Sequence, residues 1–340
     1  MLHPGLVLVL EQQLRAGEAD REAVGAGGQP PDVVGHTTGV PADLPDPSAP
    51  AVRSRPVAHP QTGILALGTL SHAYLEFDRR DGVDVADLIA AVTRVAALRS
   101  TVTGVNLVVG FGPELWAAHA PSAAPSSVTG FTEPVVGPDG FTMPATQHDL
   151  VLWLGGAHDL VFDAVMEATA ELAGVAVVAE ETIGWSYHRD RDLTGFVDGT
   201  ENPTLVEAPP LVYAPDGASV LLLQKWEHET PRWMALDVAA QEQAMGRTKP
   251  DSIELDDKPE TSHVARTDQD TYGHIFRRNT PYGTPAEHGT MFVGFCAEQR
   301  PLAAMLDSMA GLDGPRDELT RYTRPLTGAY YVIPPADALR

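Results

Sequence analysis

The sequence predicts an α+β fold built from two halves, each with the element order β-α-β-β-α-β. Two observations predict it. Strand-type runs rich in β-branched and apolar residues alternate with amphipathic helical segments, and this order of segments occurs twice after residue 60. It is the order of a ferredoxin-like unit. We therefore expect two antiparallel sheets packed face to face, with the helices outside.

The first half, residues 60–190, contains four strand-type segments and two helices. The strands are predicted at residues 63–77, 104–112, 149–156 and 175–188. The first helix begins after a cap at Asp84, and its apolar face consists of Leu88, Ile89, Val92, Val95 and Ala96. The second helix spans residues 158–172, and its inward face consists of Leu160, Val161, Val165, Ala168 and Leu172.

The second half, residues 191–340, repeats the pattern. Its strands are predicted at residues 219–228, 274–279, 289–298 and 328–335. A turn that contains Pro281 and Gly283 joins the middle two strands. The helices are predicted at residues 231–245 and 301–310, the latter with one apolar face of Leu302, Met305, Leu306 and Met309.

The N-terminal residues 1–59 differ in composition from the rest of the chain. They are rich in Pro, Gly and Ala, and the first aromatic residue of the chain is Tyr74. Such a segment buries too little apolar surface to offset the entropy of ordering. We therefore expect a disordered N-terminal extension before a folded domain that starts near residue 60.

The formal net charge of the chain is -23 at pH 7. Nucleic acids and anionic membranes bind basic surfaces, so neither is expected as a partner. Cys296 is the single cysteine, which excludes an intramolecular disulfide and CxxC-type metal sites. The sequence shows no export signal and no apolar run of membrane length. The composition predicts a cytoplasmic protein that acts on neutral or cationic small molecules.

Three short segments contain residues suited to catalysis. "GFVDGTENP" (195–203) contains Asp198, "ETSHVARTD" (260–268) contains His263, and "HIFRRNTPYG" (274–283) contains Arg277 and Asn279. Taken singly, each has an ordinary interpretation, because Asp-Gly favours a turn and a lone His or Arg is more often a surface residue. Serine-hydrolase, Walker A and dinucleotide-binding motifs are absent.

Taken together, these segments resemble one family. "GFVDGTENP" matches the GxxDG signature of the dye-decolorising peroxidases. Bacterial B-type members have segments similar to "LLLQKWEH", "AQEQAMGRTKPDSIEL", "SHVAR", "IFRRNTPYG", "MFVGFCAE" and "LTRYTRPLTGAYYVIP". The resemblance covers roughly residues 60–335. It implies a fold of paired ferredoxin-like halves and one non-covalent haem b (iron protoporphyrin IX) per chain.

On one side of that haem, the resemblance implies an imidazole ligand. His263 would bind the iron through Nε2. Its other ring nitrogen then needs an acceptor that fixes the tautomer and strengthens the donor. Asp317, in "PRDELTRYT", is the candidate for this carboxylate.

On the distal side, the resemblance implies a pocket lined by Asp198, Arg277 and Asn279. Cleavage of hydrogen peroxide needs a group that moves a proton and a group that stabilises developing negative charge. A carboxylate serves the first need and a guanidinium the second. Side chains alternate along a strand, so only one of Arg277 and Arg278 can face the haem. The position two residues before Asn279 favours Arg277.

The function implied is a haem peroxidase that reduces hydrogen peroxide and oxidises phenolic, dye-like or other aromatic substrates by one-electron steps. Two alternatives stay open: deferrochelatase-like release of iron from haem, and a haem-binding protein without turnover. The Asp198–Arg277 pair favours catalysis, because haem binding needs only His263 and a pocket. Members of the family commonly form dimers or higher assemblies, so a homo-oligomer is expected. The chain ends in "PADALR", without the C-terminal extension of members packaged in encapsulin shells, which makes packaging doubtful.

Overall fold

The structure is a computed structural model that describes residues 59–340, apart from 102, 103, 122, 124 and 126. The predicted N-terminal extension, residues 1–59, lies outside the described residues except for His59. His59 is held by Asp337, whose carboxylate accepts a hydrogen bond from the His59 backbone N–H at 3.0 Å. The two ends of the described chain therefore lie side by side.

The strands of the described residues fall into a large sheet and one small hairpin. They are β1 (Ser71–Arg79), β2 (Val105–Phe111), β3 (Val135–Val136), β4 (Thr142–Met143), β5 (Leu150–Gly156), β6 (Ala176–Trp185), β7 (Ser219–His228), β8 (Phe276–Arg277), β9 (Thr280–Gly283), β10 (His288–Cys296), β11 (Thr323–Pro325) and β12 (Ala329–Ile333). Strands β3 and β4 form the hairpin, and the other ten form one sheet in the order β11-β7-β12-β2-β5-β1-β6-β9-β10-β8. Because β7 also pairs with β10, this sheet closes into a barrel.

The α-helices of the described residues lie between these strands. They are α1 (Val85–Thr101), α2 (Pro113–His119), α3 (His158–Leu172), α4 (Ala208–Val212), α5 (Thr230–Met234), α6 (Val238–Met245), α7 (His263–Arg266), α8 (Gln269–Tyr272) and α9 (Gln299–Met309). None of the helices in this part of the chain combines the length and the apolar character that a membrane crossing requires.

The barrel consists of two four-stranded antiparallel arcs, β6-β1-β5-β2 and β12-β7-β10-β9. The arcs meet at two seams, where Val332 pairs with Phe111 and Gly184 pairs with Tyr282. The predicted α+β class and the antiparallel pairing are confirmed. The two expected sheets are joined at their edges, and this closure leaves fewer unpaired backbone groups than two separate layers would.

Because side chains alternate along each strand, they pack into separate hydrophobic cores inside and outside the barrel. On β1, Leu75 and Phe77 pack outward against the helices of the first arc. Tyr74, on the other face of the strand, packs inside the barrel with residues of both arcs such as Val293 and Tyr331. A third core lies outside the second arc, between α9 and strand β7. The closed sheet is therefore apolar on both faces along most of its length.

The helix predicted at residues 158–172 has those same bounds as α3. One of its predicted inward residues is wrong, since Leu160 is 38% exposed. Positions spaced by three or four residues point the same way on a helix, and the buried positions are Val161, Ala164, Ala168 and Leu172. Leu160 lies one residue before this series and falls on the flank of the helix.

In the second half, the structure corrects two predicted elements. The helix predicted at residues 231–245 is split into α5 and α6, because Asp237 caps α6 by accepting a hydrogen bond from the backbone N–H of Ala240 at 2.8 Å. The predicted turn at Pro281 and Gly283 is strand β9, which pairs with β10 and touches β6. Proline is tolerated here because β9 is short and lies at a seam.

A buried acid links the two arcs across the interior of the barrel. Glu76 on β1 is 3% exposed, and the hydroxyl of the fully buried Tyr331 on β12 donates to its carboxyl group at 2.5 Å. Burial raises the pKa of Glu76 to about 7, and the negative charges of Glu180 and Asp78 act in the same direction. The Tyr331 hydrogen bond and the charge of His148 offset only part of this rise in pKa.

The raised pKa of Glu76 predicts a loss of stability as the pH rises. The folded protein holds the Glu76 proton up to about pH 7, whereas the unfolded chain loses it near 4.5. The stabilisation is therefore complete below the unfolded pKa and is lost as the pH rises through 7, a change of about 3 kcal/mol. We expect Glu76→Gln, which resembles the protonated acid, to lose less unfolding free energy than the wild type between pH 5 and pH 8. Urea denaturation at both pH values measures this, and equal losses in the two proteins would contradict it.

Candidate active site

A large cleft lies against the outer face of β7 and β10. It encloses about 1580 Å³ of empty space, counting its open mouth. Its apolar lining comes from the sheet and from α9, namely Leu222, Phe292, Leu302, Met305, Leu306 and Met309. Asp198, His263, Arg277 and Asn279 all line this same cleft. The structure thus brings together four of the five site residues predicted from the sequence, and Asp317 lies directly behind one of them.

The segment "GFVDGTENP" forms a turn that presents Asp198 to the cleft. Gly195 and Gly199 adopt φ values of +94° and +72°, which side chains with a Cβ rarely reach. The backbone N–H of Asp198 donates to the carbonyl of Asp190 at 2.7 Å. The preceding N–H, of Val197, donates to Ser252 Oγ at 3.0 Å. These two bonds fix the backbone at Asp198, while its side chain stays 22% exposed.

Asp198 is the acceptor at the centre of a small polar group. Nδ2 of Asn279 donates to Asp198 Oδ1 at 3.3 Å, and Nη2 of Arg277 lies 3.6 Å from the same oxygen. Asn279 is oriented by its own Oδ1, which accepts the backbone N–H of Val293 at 2.9 Å. Nε of Arg277 is buried and has no hydrogen-bond partner among the described residues. The guanidinium therefore keeps donor capacity for a ligand in the cleft.

Asn202, which the sequence analysis did not single out, positions Arg277. Its Oδ1 accepts the backbone N–H of Arg277 at 2.8 Å, and its Nδ2 donates to the Arg277 carbonyl at 2.9 Å. This pair of bonds ties the turn to β8 in the way a strand partner would. Asn202 lies four residues after Asp198 in the same motif, and that proximity was the only signal in the sequence.

Arg277 and Arg278 point to opposite faces of the sheet, as alternation requires. Arg277 lines the cleft. Arg278 is buried in the barrel, where Nη1 donates to the carbonyl of Ile64 at 2.9 Å and the guanidinium lies 5.1 Å from the ring centre of Trp153. Burial lowers the pKa of Arg278, and the nearby Tyr74 opposes this effect.

His263 is the first residue of α7, on the helical side of the cleft. Ser262 caps this helix, with its Oγ accepting the backbone N–H of Ala265 at 3.4 Å. Nδ1 of His263 lies 2.6 Å from Oδ2 of Asp317, which is fully buried. The other oxygen of Asp317 accepts the N–H of Leu319 at 2.8 Å. A carboxylate only accepts hydrogen bonds, so His263 carries its proton on Nδ1.

This arrangement leaves Nε2 of His263 as a free nitrogen donor at the cleft. The described residues contain no cluster of three His, Cys, Asp or Glu side chains able to hold a metal ion. A metal bound at His263 must therefore bring most of its own ligands. A flat, mostly apolar cofactor with a central metal matches this single donor, the apolar walls and the unpaired Nε of Arg277.

Comparisons with known proteins identify the family of this chain. Residues 189–338 match the model of the family described as "Dyp-type peroxidase, C-terminal". The dye-decolorizing peroxidase of Rhodococcus erythropolis is 34% identical over 273 residues, which are 75% of this chain and 80% of that protein. The dye-decolorizing peroxidase of Mycobacterium tuberculosis is 31% identical, covering 86% of this chain and 91% of that protein.

Solved structures with the same fold belong to the same group. The dye-decolorizing protein of V. cholerae has a TM-score of 0.76 at 32% identity, covering 82% of this chain and 98% of that one. DyPB of Rhodococcus jostii RHA1 has a TM-score of 0.72 at 29% identity, covering 82% and 97%, which is consistent with the B-type. A variant of that DypB was solved in complex with haem. The identity over most of both chains shows that this protein belongs to the dye-decolorising peroxidase family.

Proposed function

We propose that this protein is a haem peroxidase that reduces hydrogen peroxide and oxidises phenolic, dye-like or other small aromatic compounds one electron at a time. The observation that carries the proposal is the pairing of two features in one cleft. Nε2 of His263 is free because buried Asp317 holds Nδ1. Asp198, Arg277 and Asn279 form a polar group that lines the same space.

The cofactor proposed is one non-covalent haem b per chain. His263 is the iron ligand in this proposal, with the Asp317 carboxylate strengthening its donor nitrogen. The apolar side chains of α9 and β10 would hold the porphyrin faces, and the free Nε of Arg277 supports a ligand with acceptor atoms nearby. Bound haem supplies the redox chemistry, accepting the two oxidising equivalents of hydrogen peroxide.

The chain itself supplies proton transfer and electrostatics. Asp198 accepts the proton from one oxygen of hydrogen peroxide and returns it to the other oxygen, which leaves as water. Arg277 stabilises the negative charge that develops as the O–O bond breaks. Its side chain is only 16% exposed, so water screens its positive charge little. Asn279 holds Asp198 Oδ1 in place through its Nδ2.

Broader features of the molecule belong to the same proposal. We assign a ferredoxin-like unit to each of residues 60–190 and 191–340, supported by the strand orders β6-β1-β5-β2 and β12-β7-β10-β9. We further propose a homo-oligomer located in the cytoplasm. The buried, free state of Cys296 is compatible with a reducing compartment.

The His263–Asp317 pair predicts how the protein holds haem. His263→Ala should lose the bound haem, because it removes the proposed iron ligand. Asp317→Asn keeps an acceptor but removes the charge, and should weaken haem affinity about 10- to 100-fold. Titration of the purified variants with haem, followed at the Soret band, measures both effects. The exposed His119→Ala is the control and should bind like the wild type. Unchanged haem binding by His263→Ala would refute the assignment.

Substitutions in the polar group of Asp198, Arg277 and Asn279 are predicted to slow the peroxide step selectively. Asp198→Ala and Arg277→Ala should each retain haem and slow the spectral change on adding hydrogen peroxide by about 10²- to 10³-fold. Stopped-flow absorbance measures this rate. An unchanged rate in Arg277→Ala would show that another group stabilises the charge. A wild-type protein that binds haem without any peroxide reaction would be a non-catalytic haem protein, and release of metal-free porphyrin would indicate iron removal.

Because Asn202 positions the backbone of Arg277, substitutions at Asn202 are predicted to slow the same step. Asn202→Asp can still accept from the Arg277 backbone N–H but cannot donate to its carbonyl, whereas Asn202→Ala loses both bonds. We expect a peroxide rate about 10-fold lower in Asn202→Ala, with a smaller loss in Asn202→Asp, because misplaced groups lose catalytic power. Haem content should stay unchanged in both. Equal rates in all three proteins would mean that β8 does not need this support.

A further inference from the structure

A second group of polar side chains also lines the cleft. His228 is the last residue of β7, Thr290 is on β10, and Asp192 lies in the loop that leads into the "GFVDGTENP" turn. All three line the cleft. Thr290 pairs with Trp226 in the β7–β10 ladder, two residues before His228. None of these residues takes part in the peroxide step described above.

The three side chains form a directed chain of hydrogen bonds. The hydroxyl of Thr290 contacts Oδ2 of Asp192 as well as Nε2 of His228, the latter at 3.1 Å. The other oxygen of Asp192 accepts the backbone N–H of Thr194 at 2.7 Å. Burial acts to raise the pKa of Asp192, but the neighbouring His228 and the hydrogen bonds from Thr290 and Thr194 outweigh it, so the pKa is lowered and the carboxylate form is favoured.

The direction of these bonds follows from chemistry. An ionised carboxylate only accepts, so the single hydroxyl hydrogen of Thr290 goes to Asp192. The Thr290 oxygen must then accept from Nε2–H of His228. A neutral imidazole has one N–H, so Nδ1 of His228 carries the free lone pair. Among the described residues, Nδ1 has no hydrogen-bond partner.

The pKa of His228 is lowered, which favours the neutral ring that can accept a proton. Burial lowers its pKa, the nearby His288 lowers it further, and Asp192 opposes both effects. Protonation at Nδ1 would place a positive charge that Asp192 stabilises through Thr290. A histidine held by an acid through its other nitrogen is the arrangement of a general base.

The surroundings indicate what this base would act on. The ionised Asp192 and the formal net charge of -23 disfavour an anionic ligand. Trp226, on the same face of β7, supplies an aromatic surface in the cleft. Gln224, 1% exposed and next along that face, has an Nε2 without a partner among the described residues. A neutral aromatic molecule with one acidic O–H group fits this combination.

We propose that the His228–Thr290–Asp192 group is a binding site for small neutral phenols, with His228 as the base that removes the phenolic proton during oxidation. The proposal rests on the peroxidase function above. The phenolic O–H bond breaks, its proton goes to Nδ1 of His228, and its electron reduces one oxidising equivalent that hydrogen peroxide has delivered to the enzyme. A neutral phenoxyl radical leaves the cleft. His228 then returns the proton to solvent.

Comparison of two reductants tests this role. Guaiacol must lose a proton with its electron, whereas N,N,N′,N′-tetramethyl-p-phenylenediamine is a neutral aromatic donor that loses an electron alone. Enzyme pretreated with one equivalent of hydrogen peroxide is mixed with each donor in a stopped-flow instrument. We expect His228→Gln to oxidise guaiacol about 100-fold more slowly while the diamine rate changes less than about twofold. Calorimetry should also show that guaiacol binds more weakly to the resting His228→Gln holoenzyme than to the resting wild-type holoenzyme.

Two further variants sharpen the result. His288→Gln is the matched control, because His288 lies near His228 but both of its ring nitrogens are engaged, Nε2 with Thr230 at 2.6 Å and Nδ1 with the Thr284 carbonyl at 3.0 Å. It should leave the ratio of the two rates unchanged. Asp192→Asn should lower the guaiacol rate selectively with His228 intact, and it serves as the test if His228→Gln does not fold.

The outcomes separate this proposal from the peroxidase function. Equal losses for both reductants, or no loss for guaiacol, would overturn the role of His228. A wild-type enzyme that fails to react with hydrogen peroxide would instead overturn the proposed function itself. The role of His228 stands only if the peroxide step is normal and the guaiacol rate alone falls.

Discussion

Closure of the sheet is the constraint on which the site depends. Strand β7 pairs with both β10 and β12, and two short seams join the arcs, so each long strand has one face inside the barrel and one face outside. Side chains alternate along a strand, and closure therefore decides which residues meet the cleft. On β10, Thr290 and Phe292 line the cleft while Val293 packs inside the barrel. A shift of one residue in the β7–β10 register would exchange these sets.

Polar contacts between distant segments then fix the functional groups on this frame. Asn202 holds the backbone of Arg277, and Asn279 holds Asp198. The first contact joins the turn to β8, and the second joins it to the residue that precedes β9. Because an amide side chain both donates and accepts, it can link two segments that have no regular pairing. The site is therefore built from a turn and a strand end, held by asparagines rather than by a continuous sheet.

At two places in the cleft a carboxylate fixes the tautomer of a histidine, and a different ring nitrogen is left free in each case. At His263, the Asp317 carboxylate accepts a hydrogen bond directly from Nδ1–H and leaves Nε2 free. At His228, Asp192 acts through Thr290 on Nε2 and leaves Nδ1 free. In both cases a carboxylate selects the tautomer, and the tautomer decides which ring nitrogen keeps a free lone pair. One histidine is thereby suited to bind a metal and the other to accept a proton.

The sequence by itself determined the elements whose signals are local. The apolar run of β7 and the amphipathic pattern of α3 predicted their bounds, and alternation separated Arg277 from Arg278. Motif resemblance brought Asp198, His263 and Asp317 together as candidates before any contact was known. Only the tertiary structure decided the closure of the barrel, the strand β9, the role of Asn202 and the Asp192–Thr290–His228 chain. The last two of these features depend on residues 62 to 98 positions apart meeting in space. Local hydrophobic patterns do not encode such meetings, because the way the sheet closes sets them.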